Sequence, residues 1–388
     1  MHGPESPQPS LTLSLVRPTD RWRPSMARFA DALATGLPLG FGVHPSPPPR
    51  QRWAAPPVLA RRIGHPWTLW RTRADVFHII DHSQAHMIKV LPADRAVVTC
   101  HDVILLQAAK DHRLPPPRSR WVARFAWTIR HLRRAAAVVC VSAATREALL
   151  AACAVPADRV RVVPMAVDPC FRPSTTDQAV LRSSFGVGSS HVVCHVSSGW
   201  AYKNVNTTLR VLAALRAGGL DATLLRAGAP LNPSERDLAD CLGVASAVVD
   251  TGIITDAGLA RLYAASDALV FPSFYEGFGL PVLEAMASGT PVVASDCPAL
   301  VELTGGAALH APADDVAGLT EALATVLTSA PERDRLRHAG LARARGFGWA
   351  QTLEAYAGIY RWVDAHARGG AAPRGTPRVT APPPPPGR

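Results

Sequence analysis

Lysine is nearly missing from this chain: of 41 basic residues only Lys89, Lys110 and Lys203 are lysines, and the rest are arginines. No Cys-x-x-Cys pair occurs. The seven cysteines (Cys100, Cys140, Cys153, Cys170, Cys194, Cys241 and Cys297) are dispersed. An odd, scattered set excludes a disulfide framework and fits reduced core thiols of a cytosolic protein. No apolar run reaches the roughly 20 residues that a bilayer-spanning helix needs; the longest resemble AAAVVCVSAA at 135–144. The opening MHGPESPQPS has no charged-then-apolar leader pattern, so no secretion is expected. There is no internal repeat, no Asp-x-Asp motif, and no His/Cys cluster with metal-ligand spacing.

What is present is globular in character, with 48% hydrophobic and 18% charged residues over 388 positions, too many for one ordinary core. The formal charge of +11 points towards acidic partners: a nucleotide, a phosphorylated lipid, an anionic membrane or nucleic acid. A compositional bias towards Arg, Ala and Pro accounts for part of that charge equally well. Pro-rich stretches at 44–57, 114–120 and 369–388 read as an excursion inside the first domain, a lead-in to a helix, and a disordered tail.

Short buried-strand signals alternate with helical sequence. They are LTLSLV (11–16), VFHII (76–80), AVVTC (96–100), AVVCVS (137–142) and RVRVVPMAVD (159–168), then HVVCHVSS (191–198), DATLLRAG (221–228), AVVDTG (247–252), DALVFPS (267–273) and TPVVAS (290–295). Such alternation predicts two α/β blocks with parallel sheets covered on both faces, divided near 171–178. Ligands then bind beyond the carboxyl ends of the strands. The residues there are polar: Arg17, Asp81 and His82, His101 and Asp102, Ser142, Ser197 to Gly199, and Glu276 to Gly279.

The stretch FPSFYEGFGLPVLEAMASG (271–289) carries two glutamates around a glycine turn. Pro281 suits a first helical position and Gly289 a helix C-cap. Gly277 and Gly279 allow a tight turn that a ligand can approach closely. The N–H groups of Phe278, Gly279 and Leu280 at the helix start favour an anion. Glu276 on the loop and Glu284 a turn into the helix could each accept from vicinal hydroxyls. A sugar nucleotide offers hydroxyls, diphosphate and ribose in that order. A surface loop glutamate and a helix-dipole partner are the alternative.

EGFGLPVLE, with its flanks TGIITDAGLARLYAASDALVFPSF and ASGTPVVASDCPALVELTGGAAL, closely resembles the donor-binding half of the family-four retaining glycosyltransferases of the GT-B fold. The resemblance implies two Rossmann-like domains facing a central cleft. The expected boundaries are 1–172 for an acceptor domain, 173–346 for a nucleotide-sugar domain, 347–368 for a helix crossing back, and 369–388 for the tail. It implies that Glu276 contacts the transferred sugar, that Glu284 binds the ribose, and that Gly277 to Leu280 meet sugar and diphosphate. VSSGWAYKNVNTTL (196–209) resembles the family's phosphate loop, which makes Lys203 the phosphate lysine and places Ser198 and Gly199 at the donor. Family members often have arginine at Ser198 and glycine at Ser197. Arg226 could supply the missing cation, or serve a surface or structural role. VVTCHDV resembles the strand ending in the family's histidine, so His101 is expected at the donor sugar, with Asp102, Asp81 and His82 on the acceptor side. The family's Gly-Gly loop after the first strand is absent; residues 17–26 hold Arg17, Arg21 and Arg23 instead.

The resemblance thus implies transfer of a hexose from GDP-mannose or a UDP-sugar, with mannose favoured, to a glycan, lipid-linked or small-molecule acceptor. It implies anomeric retention, no cofactor and no essential metal. The expected location is the cytoplasm, with peripheral contact to the inner membrane face through the basic helix 118–135, and no nucleic-acid partner. The rival is a GT-B scaffold that binds a sugar nucleotide or glycan without turnover.

Overall fold

A computed structural model describes residues 11–17, 24–46, 69–188 and 191–369. Most of the 44–57 stretch, residues 18–23 of the glycine-free loop, and the tail from 370 lie outside the described residues. The described chain divides into two compact units. One takes the residues up to Leu106, Pro117–Pro164 and the chain from Trp349; the other takes Gln107–Pro116 and Met165–Gly348.

In the first unit the strands β1 (Leu11–Val16), β2 (Phe41–Ser46), β3 (Val76–Ile79), β4 (Ala96–Cys100), β5 (Ala137–Cys140) and β6 (Val160–Val162) form a parallel sheet in the order β2-β1-β3-β4-β5-β6. The period-two alternation of each strand sends its side chains to two cores. Leu13, Leu15, Val97 and Val139 pack with Phe29 and Leu33 on one face. Val16, Ile79, Val98 and Val138 pack with Ile129, Leu132 and Leu149 on the other. The second unit repeats the plan with β7 (His191–Ser197), β8 (Ala222–Gly228), β9 (Val248–Asp250), β10 (Ala268–Phe271), β11 (Val292–Ser295) and β12 (Leu309–Ala311), all parallel, in the order β12-β11-β10-β7-β8-β9. Read from β9, this is the doubly wound order whose direction of winding reverses between β7 and β10, the position at which such sheets open a crevice for ligand.

Ten of these strands coincide with the buried-run signals. The two that those signals miss, β2 and β12, are the outer strands of their sheets among the described residues. An outer strand has a neighbour on one side only and tolerates a Gly or Pro, as FGVHPS shows.

The helix Trp349–Ala367 belongs to the first unit and lays Leu353, Tyr356, Ile359, Tyr360 and Val363 on the sheet, a spacing of three and four. Its two tyrosines reach a fully buried histidine on β3. The Tyr360 hydroxyl lies 2.8 Å from His78 Nδ1, His78 Nε2 lies 2.8 Å from Thr99 Oγ1, and Thr99 Oγ1 lies 3.0 Å from the Tyr356 hydroxyl. Every member is buried and partnered, so the network costs little and fixes the helix on the sheet.

Burial pushes His78 down to about 3, with the neighbouring His101 adding to it. The same desolvation takes His101 to about 4 and His195 to about 3. Unfolded histidine titrates near 6.5, so between the two values the unfolded chain binds the extra protons and stability rises with pH. Urea titrations are expected to give a falling unfolding free energy from pH 6.5 towards pH 4, by up to about 1.4 kcal/mol per pH unit for each such histidine. His78→Asn should make that slope shallower. A flat profile between pH 7 and 5 would contradict the buried neutral network.

Candidate active site

The crevice between β7 and β10 is lined by two loops. After β7 the chain turns at Gly199, whose φ is +74°, and makes a short 3-10 turn Ala201–Lys203. Asn204 follows with φ +58°, the only non-glycine residue with positive φ among those described. Its amide holds that conformation by donating to the Pro272 carbonyl at 3.0 Å and the Ala313 carbonyl at 2.7 Å. Asparagine tolerates the left-handed region better than other residues. Here it ties the β7 loop to the ends of β10 and β12 and launches the helix Val205–Ala217. Its left-handed preference beside Lys203 is the signal that could have marked it from sequence.

After β10 the loop runs through Glu276 to Gly279, whose φ of +103° no other residue adopts readily. A Cβ there would lie 2.5 Å from Leu300 Cδ2. The Gly279 carbonyl accepts from the Val282 and Leu283 amides and opens the helix Leu280–Ser288, with Pro281 in its first turn and Gly289 closing it in the left-handed conformation. Gly277, Phe278, Gly279 and Leu280 thus form the turn at a helix N-terminus. Phe278 is buried edge-on against Phe347, their ring centres 5.9 Å apart.

The two loops meet in an ion pair. Lys203 Nζ donates to Glu276 Oε1 at 2.6 Å, with 12% and 7% of the two side chains exposed. The ammonium also lies 5.2 Å from the Phe271 ring centre and 5.5 Å from that of Tyr202. Glu284, one turn into the helix, is buried and its Oε2 accepts from the Tyr263 hydroxyl at 3.1 Å. Sequence reasoning missed Tyr263, which lies 21 residues away with no motif to flag it. Ser198 and Gly199 are exposed at the mouth, whereas Ser197 is buried with an Oγ that has no hydrogen-bond partner.

Of the roles open to Arg226, the structure selects the structural one. Arg226 is fully buried on β8, donates to Asp250 at 2.7 Å and to the Ala229 carbonyl at 3.1 Å, and so holds the β8 and β9 ends together.

In the first unit, His101 follows β4 and is buried to 7% exposure. Its Nε2 lies 2.8 Å from the Ile80 carbonyl, which accepts its proton and leaves the buried Nδ1 as an acceptor without a partner. Its main-chain N–H donates to His82 Nδ1 at 3.2 Å. Asp81 and His82 are almost fully buried, and Asp81 accepts from the Ser83 amide at 2.8 Å. The ring centres of His82 and His101 lie 6.2 Å apart. Asp102 accepts from the Ile104 amide at 3.1 Å. Arg17 pairs with Asp31 at 2.7 Å. Among the described residues no group of three or more His, Cys, Asp or Glu could hold a metal ion. A polar cavity of about 280 Å³ beside Ser288, Thr290 and Arg337 lies at the amino ends of β10 and β11, away from these loops.

A family model described as Glycosyl transferases group 1 matches residues 190–329, and one described as Glycosyltransferase Family 4 matches residues 15–170. The chain belongs to this glycosyltransferase family. The glycosyltransferase is 34% identical over 260 residues to an MMP alpha-(1->4)-mannosyltransferase of Mycolicibacterium hassiacum, a match that spans 64% of this chain and 60% of the relative. It is 28% identical over 315 residues to O-antigen chain mannosyltransferase B of Escherichia coli, spanning 77% and 79%. Among solved structures, sucrose-phosphate synthase of Thermosynechococcus elongatus aligns with a TM-score of 0.73 and 18% identity over 92% of this chain and 100% of that one. Anabaena HepE, in complex with UDP and glucose, aligns at 0.72 and 18% over 91% and 99%. The fold of the glycosyltransferase is GT-B, built from its two parallel six-stranded sheets.

Removing one partner of a buried ion pair strands the other charge. Lys203→Met is therefore expected to destabilise the glycosyltransferase by about 3 kcal/mol in urea unfolding. Adding Glu276→Gln should recover much of that loss. Additive losses in the double variant would show that the two side chains are not coupled.

Proposed function

We propose that the chain transfers a hexose, with retention of anomeric configuration, from a nucleoside diphosphate sugar to a glycan, lipid-linked or small-molecule acceptor. The observation that carries this is the Lys203–Glu276 pair at the β7/β10 crevice, with the Gly277–Leu280 turn opening a helix beside it. Cleavage of the anomeric bond builds charge on the departing diphosphate. The Lys203 ammonium and the N–H groups at the helix start would meet that charge with fixed dipoles that need no reorganisation. Glu276 would accept from the sugar hydroxyls and Glu284 from the ribose hydroxyls. His101, neutral with a free Nδ1, would accept a hydrogen bond from the sugar, and Asp81 and His82 would orient it. Asp102 would lie towards the acceptor. No metal and no cofactor enter this reading.

Mannose is the favoured sugar because two relatives carry mannosyltransferase names, with GDP-mannose as the favoured donor and UDP-sugars as the competing class. The location proposed is the cytoplasm. No helix among the described residues is long and apolar enough to cross a membrane. The helix Ser119–Ile129 exposes Trp121 and Trp127 among arginines, and from His112 to Arg146 the sequence contains no acidic residue. That face suits peripheral contact with an anionic bilayer.

The test is a panel of nucleotide sugars scored for release of nucleoside diphosphate, with the product's anomeric configuration read by NMR. Turnover is expected to be fastest with GDP-mannose, with an α-linked product, and to fall at least 100-fold in Glu276→Ala. A panel without turnover, or Glu276→Ala indistinguishable from wild type, would overturn the transferase reading.

A further inference from the structure

Six residues beyond His101, the segment Gln107–Pro116 joins the second compact unit although the chain on both sides of it belongs to the first. It is fastened there by Asp111, whose side chain is only 4% exposed. Asp111 accepts from the Arg113 amide at 3.0 Å and from the Arg113 guanidinium at 2.9 and 3.1 Å, a two-pronged clasp. Arg113 in turn lies 4.6 Å from the Phe274 ring centre and donates to Asp314 at 3.3 Å. The remaining oxygen valence of Asp111 goes to the Tyr275 hydroxyl, which donates at 2.8 Å. The hydrogen bonds to Arg113 hold the Asp111 carboxyl well below the ordinary carboxylate range, so it is a permanent anion and a strong acceptor for the tyrosine.

Tyr275 is the residue before Glu276, and Phe274 donates its amide to the Tyr202 carbonyl at 2.8 Å, one residue before Lys203. The loop that presents Glu276 is therefore tied on one side to the Lys203 turn and on the other to Asp111. We propose that Gln107–Pro116 is a strap that sets the position of Glu276, with Asp111 and Tyr275 as positioning residues acting through it. The strap touches neither donor nor acceptor in this reading. It fixes the rotational freedom of a five-residue loop at whose end a reacting-site carboxylate sits, where a displacement of about 1 Å costs on the order of 100-fold in rate. The inference rests on the transferase reading given above.

The test measures kcat and KM for donor in wild type, Tyr275→Phe, Asp111→Asn and the double variant, with melting temperatures alongside. Tyr275→Phe removes one hydroxyl and leaves the ring, so it guards against simple unfolding of the Asp111 variant. Glu332→Gln, which breaks an exposed pair with Arg335 elsewhere in the second unit, serves as the control and should leave kcat unchanged. A positioning strap predicts a 10- to 100-fold lower kcat in each single variant, a donor KM changed less than threefold, and a double variant no worse than the poorer single one. Unchanged kcat in Tyr275→Phe and Asp111→Asn would overturn the strap while leaving the transferase intact. So would losses that multiply, or that follow the melting temperature and vanish on cooling. Absence of turnover in the wild type would overturn the transferase reading and the strap together.

Discussion

The structure of the second unit turns on one contact, the 2.6 Å ion pair between Lys203 and Glu276. Each partner follows a strand of the doubly wound sheet, and the two strands flank the position where the winding reverses. Nothing about stability requires this arrangement. Buried pairs are often no better for folding than apolar residues of the same size, because both charges must be desolvated. What the pair provides is a pair of opposite charges held ready at the mouth of a crevice. Asn204, Gly279 and the Phe274–Tyr202 hydrogen bond all serve to bring the two loops within that distance.

Within each unit the buried polar groups fall into two kinds. His78 and the Tyr356–Tyr360 pair are buried and matched to partners that join one element to the next, while Arg226 reaches Asp250 and the Ala229 carbonyl through its terminal nitrogens and leaves its Nε unmatched. Ser197 Oγ and His101 Nδ1, at or directly after a strand end, are buried and unmatched, as are His195 Nε2 and Arg226 Nε within strands. An unmatched buried polar atom costs about 1–3 kcal/mol.

Much of this was legible in the sequence because parallel strands buried on both faces leave nearly continuous apolar runs. LTLSLV and HVVCHVS end within a residue of the expected positions. Glu276, Gly279, Pro281 and Gly289 were legible because a glycine turn, a first-turn proline and a glycine cap each answer a local backbone need. The short outer strands β2 and β12 were not, since one-sided pairing relaxes the pattern. Long-range partners were not legible at all. Tyr263 beneath Glu284, and Asp111 behind Tyr275, meet across 21 and 164 residues, and no periodicity records such a meeting. LPPPRSR reads as a lead-in to a helix, and gives no hint that the residues just before it are fastened to another unit. The role of Arg226 was ambiguous for a similar reason, its carboxylate partner being supplied by the next strand.

The claim that the Lys203–Glu276 crevice receives the nucleotide sugar is tested most directly by hydrogen exchange of the full-length protein with and without saturating GDP-mannose or UDP-glucose. The account predicts slower exchange concentrated in Ser197–Lys203 and Phe274–Leu280, and its loss in Lys203→Met. Binding detected by calorimetry with protection elsewhere and none in those two segments would contradict it.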